Sequence, residues 1–276
     1  MSLRPPEPVL VVDLFPAERA ALLVLLRGMD PDDWMRPARV GEWTVKDISA
    51  HLVADDLGRV SRQRDGFTEP RDPAAGSLAA FIDRRNAEWV VAMRRLSPAI
   101  LVSLLAFGGR ETQTMFEEAD LFALDGAVSW AGPEPAPVWL DLARELTERW
   151  HHQQQIRDAL GLPSLDDPRL LRPVLATFAF ALPRALRDSD AATGTVVEIT
   201  VEGESGGVWS VERETAGWVL RLGSVADPVA SVRMGEDTAW RMYVRALPAD
   251  DVEQRSRLDG DRDLAETLLA AFALVS

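Results

Sequence analysis

The chain has 276 residues, with 30 Lys and Arg against 44 Asp and Glu, so its formal net charge is −14. At about 150 residues per domain this length predicts two domains, and the acidic balance lacks the cationic footprint that nucleic acid or an anionic membrane surface requires. With no cysteine and three histidines, the chain has no disulfide, iron–sulfur cluster, thiolate zinc site or cysteine nucleophile.

The first 160 residues read as helices separated by Pro and Gly. Pro16–Arg27 carries Leu22, Leu23, Leu25 and Leu26 and stops at Gly28. Thr44 is an N-cap with Asp47 three residues on, ahead of the apolar set Val45, Ile48, Leu52 and Val53, and it opens a long helix towards Asp65. Residues 66–76 read as a loop. Leu78, Phe81, Ile82, Trp89, Met93 and Leu96 mark a third helix. The stretch 97–136 is mixed, with an apolar run, the pair Gly108-Gly109 and a short helix near 115–124. Pro137 then starts a helix to about Leu160, closed by Gly161. Four long helices with one extended crossing connection predict a four-helix bundle.

After about residue 165 the pattern changes. One more helix, from Pro168 to about Arg187, precedes strand-like runs at Thr195–Glu202, Val208–Arg213, Trp218–Leu222 and Pro228–Arg233. Their short spacing predicts an antiparallel meander. Helices at Glu236–Arg245 and Asp261–Leu274 close the chain. The expected fold class is therefore α+β, with a helical domain at 1–165 and a smaller antiparallel-sheet α+β domain at 166–276. Met1 to Pro8 lacks the apolar core of a signal peptide and no apolar run is long enough to span a bilayer, so a cytoplasmic protein without membrane contact is expected.

All three histidines fall on two of the predicted helices. Glu148 and His152 are four residues apart and share a helix face; His51 lies on another helix. Two imidazoles and one carboxylate are a donor set for catalytic zinc, with a fourth position open. The same Glu-His spacing is also common on solvated helix faces, and His151, three residues from Glu148, competes with His152. On the His51 helix, Asp55, Arg59 and Arg62 follow at i+4, i+8 and i+11; they read either as groups that hold a substrate carboxylate or as a solvated face of ion pairs. Arg149 and Arg157 are similar candidates. Trp43 and Trp150 flank the ligand segments, as stacking platforms or as packing.

The run Gly41-Glu42-Trp43-Thr44-Val45-Lys46-Asp47-Ile48-Ser49-Ala50-His51-Leu52 resembles the second-helix signature of the mycothiol-dependent maleylpyruvate isomerase family, whose bundle is DinB-like. Thr147-Glu148-Arg149-Trp150-His151-His152, continuing to Ala159-Leu160-Gly161, resembles that family's last bundle helix. The meander, followed by Leu258-Asp259-Gly260-Asp261, is similar to its sterol-carrier-like second domain. The resemblance implies metal ligands at His51, Glu148 and His152, with zinc first and nickel or another divalent ion behind it. It also implies mycothiol or another low-molecular-weight thiol as cosubstrate. Many members carry an Asp three residues after the last ligand; here that residue is Gln155.

The implied activity is isomerisation or S-transfer on a small electrophile, by a thiolate that adds to an activated double bond or attacks an electrophilic carbon. The partners are then two small molecules, and the protein is a monomer or homodimer. The alternative is a non-enzymatic protein with a vestigial metal site, either binding a small molecule or lipid in its second domain or acting as a regulator.

Overall fold

The computed structural model describes residues 3–38, 43–68 and 78–273; Gly41, Glu42 and the loop residues 69–76 lie outside these. The fold is α+β: a helical N-terminal region followed by a five-stranded mixed sheet. The chain forms two compact units. One comprises Val11–Asp120 with Glu148–Leu165, the other Leu121–Thr147 and Asp166–Val275 with the N-terminal residues to Leu10.

The helical unit contains α1 (Phe15–Arg27), α2 (Val45–Gln63), α3 (Leu78–Met93), α4 (Pro98–Glu117) and the C-terminal part of α5 (Val138–Leu160). α2 packs on α3 and α4, and α1 on α4. Its core gathers Leu22, Leu26, Ile48, Leu52, Leu101, Leu105 and Ile156. The α2 start is a reciprocal cap: Thr44 Oγ1 accepts from Asp47 N at 3.3 Å, and Asp47 Oδ2 accepts from Thr44 N at 3.1 Å. Arg94 adds two bonds to the Asp47 carboxylate, at 2.8 and 3.1 Å. Burial alone would raise that carboxyl; the bonds from Arg94 and Thr44 outweigh it and hold the group below its ordinary value. The other end of α5 closes on Gly161 at φ +68°, with Leu162 N bonding back to Arg157 O at 2.9 Å.

The mixed reading of 97–136 is corrected. Residues 98–117 form one helix, started by Ser97, whose Oγ accepts from Ile100 N, and by Pro98 in its first turn. Gly108 and Gly109 do not break it, because they mark a close approach. A Cβ on Gly108 would lie 2.8 Å from Asp56 Cβ, and one on Gly109 would lie 3.0 Å from Arg19 Cγ. The glycines make room for charged side chains from α2 and α1.

The sheet unit holds β1 (Val196–Glu202), β2 (Gly207–Glu214), β3 (Gly217–Leu222), β4 (Ala230–Gly235) and β5 (Arg257–Gly260), in the order β3-β2-β1-β4-β5. Helices α6 (Pro168–Phe178), α7 (Leu182–Ala185), α8 (Glu236–Tyr243), α9 (Ala249–Gln254) and α10 (Arg262–Leu269) complete it. The expected all-antiparallel sheet is corrected: β1 pairs with β4 in parallel, and the other three pairings are antiparallel. Short spacing excludes a parallel pair only between consecutive strands, and β1 and β4 are not consecutive. Leu222 ends β3 level with Ile199, and Ala230 opens β4 level with Val197. The connection therefore moves three strand spacings sideways, about 14 Å, well within the reach of about 28 Å for eight steps.

One face of the sheet is apolar: Val197, Ile199, Val201, Trp209, Val211, Leu220, Val232 and Met234 are buried. α8 and α10 pack on β1 and β4, and α7 on β3. The other face carries cross-strand charge pairs such as Arg221 with Glu212. Arg4 exchanges two backbone bonds with Leu222, at 3.1 and 2.8 Å, and so covers the β3 edge. Among the described residues no helix is long and apolar enough to cross a membrane.

Candidate functional site

His51 sits in the second turn of α2, placed by the Thr44 cap, and His152 lies on α5. The two imidazoles meet edge to face with ring centroids 4.7 Å apart. Trp43 packs on His51 at 5.2 Å between centroids. One turn back along α5, Glu148 places Oε2 3.8 Å from His152 Nε2. Thus His152 meets each of the other two expected ligands, His51 and Glu148, in the helical unit. Among the described residues, no group of three or more His, Asp and Glu side chains is arranged to hold a metal ion.

Gln155 explains itself here. Its Oε1 lies 2.9 Å from His152 Nδ1, so Nδ1–H donates to it and the Nε2 lone pair is left on the Glu148 side. Burial lowers the His152 pKa, Arg149 lowers it further, and the Gln155 bond opposes them; the ring is held neutral. A neutral imidazole with Nε2 turned to a carboxylate has the donor chemistry that a divalent ion requires, and in this respect the residues fit one.

His151 is buried at 3% exposure, its ring 5.6 Å from that of His152. Trp150 is fully buried, and its Nε1 donates to Leu165 O at 3.0 Å; it is packing. Arg59 is buried with its guanidinium 5.4 Å from the Phe116 centroid, and Arg62 is exposed. They stand two and three turns along α2 from His51, about 12 and 16 Å by helix rise. Asp55 lies 3.9 Å from Arg149.

Asp56, the next residue on α2, lies off the face that Asp55, Arg59 and Arg62 share. It is 1% exposed and accepts from Arg19 and Arg149. Nearby, Glu18 is fully buried and accepts from Gln153 Nε2 at 3.1 Å. Burial pushes the Glu18 carboxyl up, against the pull of Arg19, Arg149 and the Gln153 bond. The only advance signal for this cluster was the pair of charged residues, Glu18 and Arg19, inside the leucine-rich α1.

The sheet unit holds a separate cavity of about 270 Å³, lined by Pro6, Pro8, Pro173, Phe180, Trp209 and Leu220 among others.

Residues 15–157, just over half of the chain, match the family described as mycothiol maleylpyruvate isomerase N-terminal domain. No protein of curated function matches by sequence. Among solved structures, a crystal structure of a histidine-to-alanine mutant of the mycothiol-dependent maleylpyruvate isomerase superposes with a TM-score of 0.50. It is 13% identical, over 84% of this chain and 86% of that one. A second crystal structure of that isomerase gives a TM-score of 0.47 and 12% identity over the same shares.

Proposed function

Since this chain belongs to the mycothiol maleylpyruvate isomerase family, we propose that it is a thiol-dependent isomerase or S-transferase whose His51, Glu148 and His152 hold a divalent metal ion, zinc before nickel. The observation that supports the ligand set is His152 itself, with its Nδ1 on Gln155, its Nε2 facing Glu148 and its ring against His51. When bound, the ion would supply acidity, favouring the thiolate form of an incoming thiol.

The chain's own residues do the rest. Gln155 fixes the His152 tautomer, and burial keeps that ring uncharged. Trp43 packs against one side of the His51 ring. The nucleophilic sulfur arrives with the cosubstrate, mycothiol or a related thiol, because the chain has no cysteine. Addition of that sulfur to an activated double bond, such as that of a maleylpyruvate-like electrophile, leaves a single bond free to rotate. Loss of the thiol then restores the alkene in the other geometry. Attack on a carbon bearing a leaving group gives S-transfer instead.

Arg59 and Arg62, about 12 and 16 Å from His51 by helix rise, are kept for the far end of the thiol cosubstrate, because a small electrophile at the His51–His152 pair does not span that distance. Arg62→Ala, at an exposed position, should raise KM for the thiol several-fold with the melting temperature unchanged. An unchanged KM removes Arg62 from the site.

Elemental analysis of protein purified without chelator or metal-affinity tag is the primary test, followed by turnover with mycothiol, bacillithiol or glutathione. About one equivalent of zinc or nickel is expected, and no metal would sink this reading. The alternative, a binding or regulatory protein with a vestigial site, has the cavity in the sheet unit as its support. It would show as metal-free protein carrying an apolar ligand.

A further inference from the structure

Among the charged side chains that the helical unit buries near the histidine pair, three are bonded to one another. Asp56 is 1% exposed, Arg149 1% and Arg19 8%. The Asp56 carboxylate accepts from Arg19 at 2.6 and 3.1 Å and from Arg149 at 2.9 Å. Arg19 also donates to the Leu105 carbonyl at 2.7 Å. One carboxylate therefore joins α1, α2 and α5 directly, and reaches α4 through Arg19. The Phe15 and Phe116 rings lie 5.5 and 5.9 Å from the Arg149 guanidinium, and Gly108 and Gly109 leave the space that Asp56 and Arg19 fill.

A knot of this kind adds little stability. Stripping three charges of water costs about what their attraction returns, and hydrophobic residues of similar volume pack as well or better. It can instead impose alignment, because the bonds form at one register of the helices and fail at others. Asp56 follows His51 by five residues, about 7.5 Å along α2; Arg149 precedes His152 by three, about 4.5 Å back along α5. The Asp56–Arg149 bond and the His51–His152 contact are thus two points on one pair of oppositely running segments. Two points fix both the slide and the rotation of this part of α5 on α2, and Arg149 lies in the turn that carries Glu148.

Resting on the metal reading above, we infer that Asp56, through Arg149 and Arg19, is a positioning residue that sets the register at which His51, Glu148 and His152 face one another. The test measures zinc affinity and melting temperature in parallel. Replacing the trio together (Arg19→Met, Asp56→Leu, Arg149→Met), with Glu18→Gln because the buried Glu18 carboxyl would otherwise lose both arginines, removes the knot without stranding a charge. That variant should melt at or above the wild-type temperature yet bind zinc at least tenfold more weakly, the scale seen when groups that orient ligands are lost. Asp56→Asn, of nearly the same shape, should lower both. A folded trio variant, or a folded Asp56→Asn protein, with wild-type zinc affinity overturns the proposal. Wild-type protein that takes up no zinc overturns the metal reading and this one with it, and that result is distinct because it appears before any substitution.

Discussion

His51→Ala is expected to lose bound metal and to reduce kcat/KM about 10³-fold, while His151→Ala keeps its metal and most of its activity per folded molecule. The magnitude follows from the chemistry. A Lewis acid at the site is worth several kcal/mol of transition-state stabilisation, and each 1.4 kcal/mol is tenfold in rate. The contrast follows from geometry. In the proposed set His51 is the ligand from α2, and it sits edge-on to His152, whereas His151 is 3% exposed. The His151 substitution should therefore show in the melting temperature and not in the metal content. Metal content, melting temperature and turnover measured on the same preparations separate the two. Retention of metal by His51→Ala would remove His51 from the ligand set, and loss of metal from His151→Ala would move the α5 ligand from His152 to His151.

The candidate site was legible where it was local. A capping box and a helix period place His51 in the second turn of α2, and an i, i+4 spacing puts Glu148 and His152 on one face of α5. What the spacing could not convey was what lies opposite each face. On α2 it grouped Asp55, Arg59 and Arg62, yet the carboxylate that binds both Arg19 and Arg149 is Asp56, about 100° further round the helix. Only the arginines of α1 and α5 reveal it. Gln155 stands where many family members carry an Asp, and the spacing could not say that its amide oxygen meets His152. In the fold the misses have the same origin. Gly108-Gly109 looks like a break until the side chains of Asp56 and Arg19 are seen against it. β5 is four residues long and ends in an Asp-Gly that precedes a helix, so nothing in Arg257–Gly260 alone separates a strand from a helix approach; its pairing with β4 defines it.

Trp150→Ala should destabilise the protein by about 3–5 kcal/mol, the cost of removing a fully buried large aromatic and leaving a cavity that closes only in part. Out of the 5–15 kcal/mol typical of a whole domain, that is enough for unfolding near physiological temperature. The side chain is 0% exposed, and its indole N–H donates to Leu165 O. That carbonyl also accepts from Gln154 Nε2 at 3.2 Å, while Leu165 N donates to Gln154 Oε1 at 3.0 Å. Losing the indole bond therefore does not orphan the backbone, and the cavity dominates. Trp150→Phe, which keeps an aromatic core and gives up the N–H and part of the volume, should cost about 1–2 kcal/mol. Urea titration of the three proteins gives both differences. If Trp150 were instead a platform for a bound ligand, Trp150→Ala would leave the urea midpoint near wild type and raise KM. That result would place an aromatic wall beside Glu148 and His152 and reopen which side chains the substrate touches.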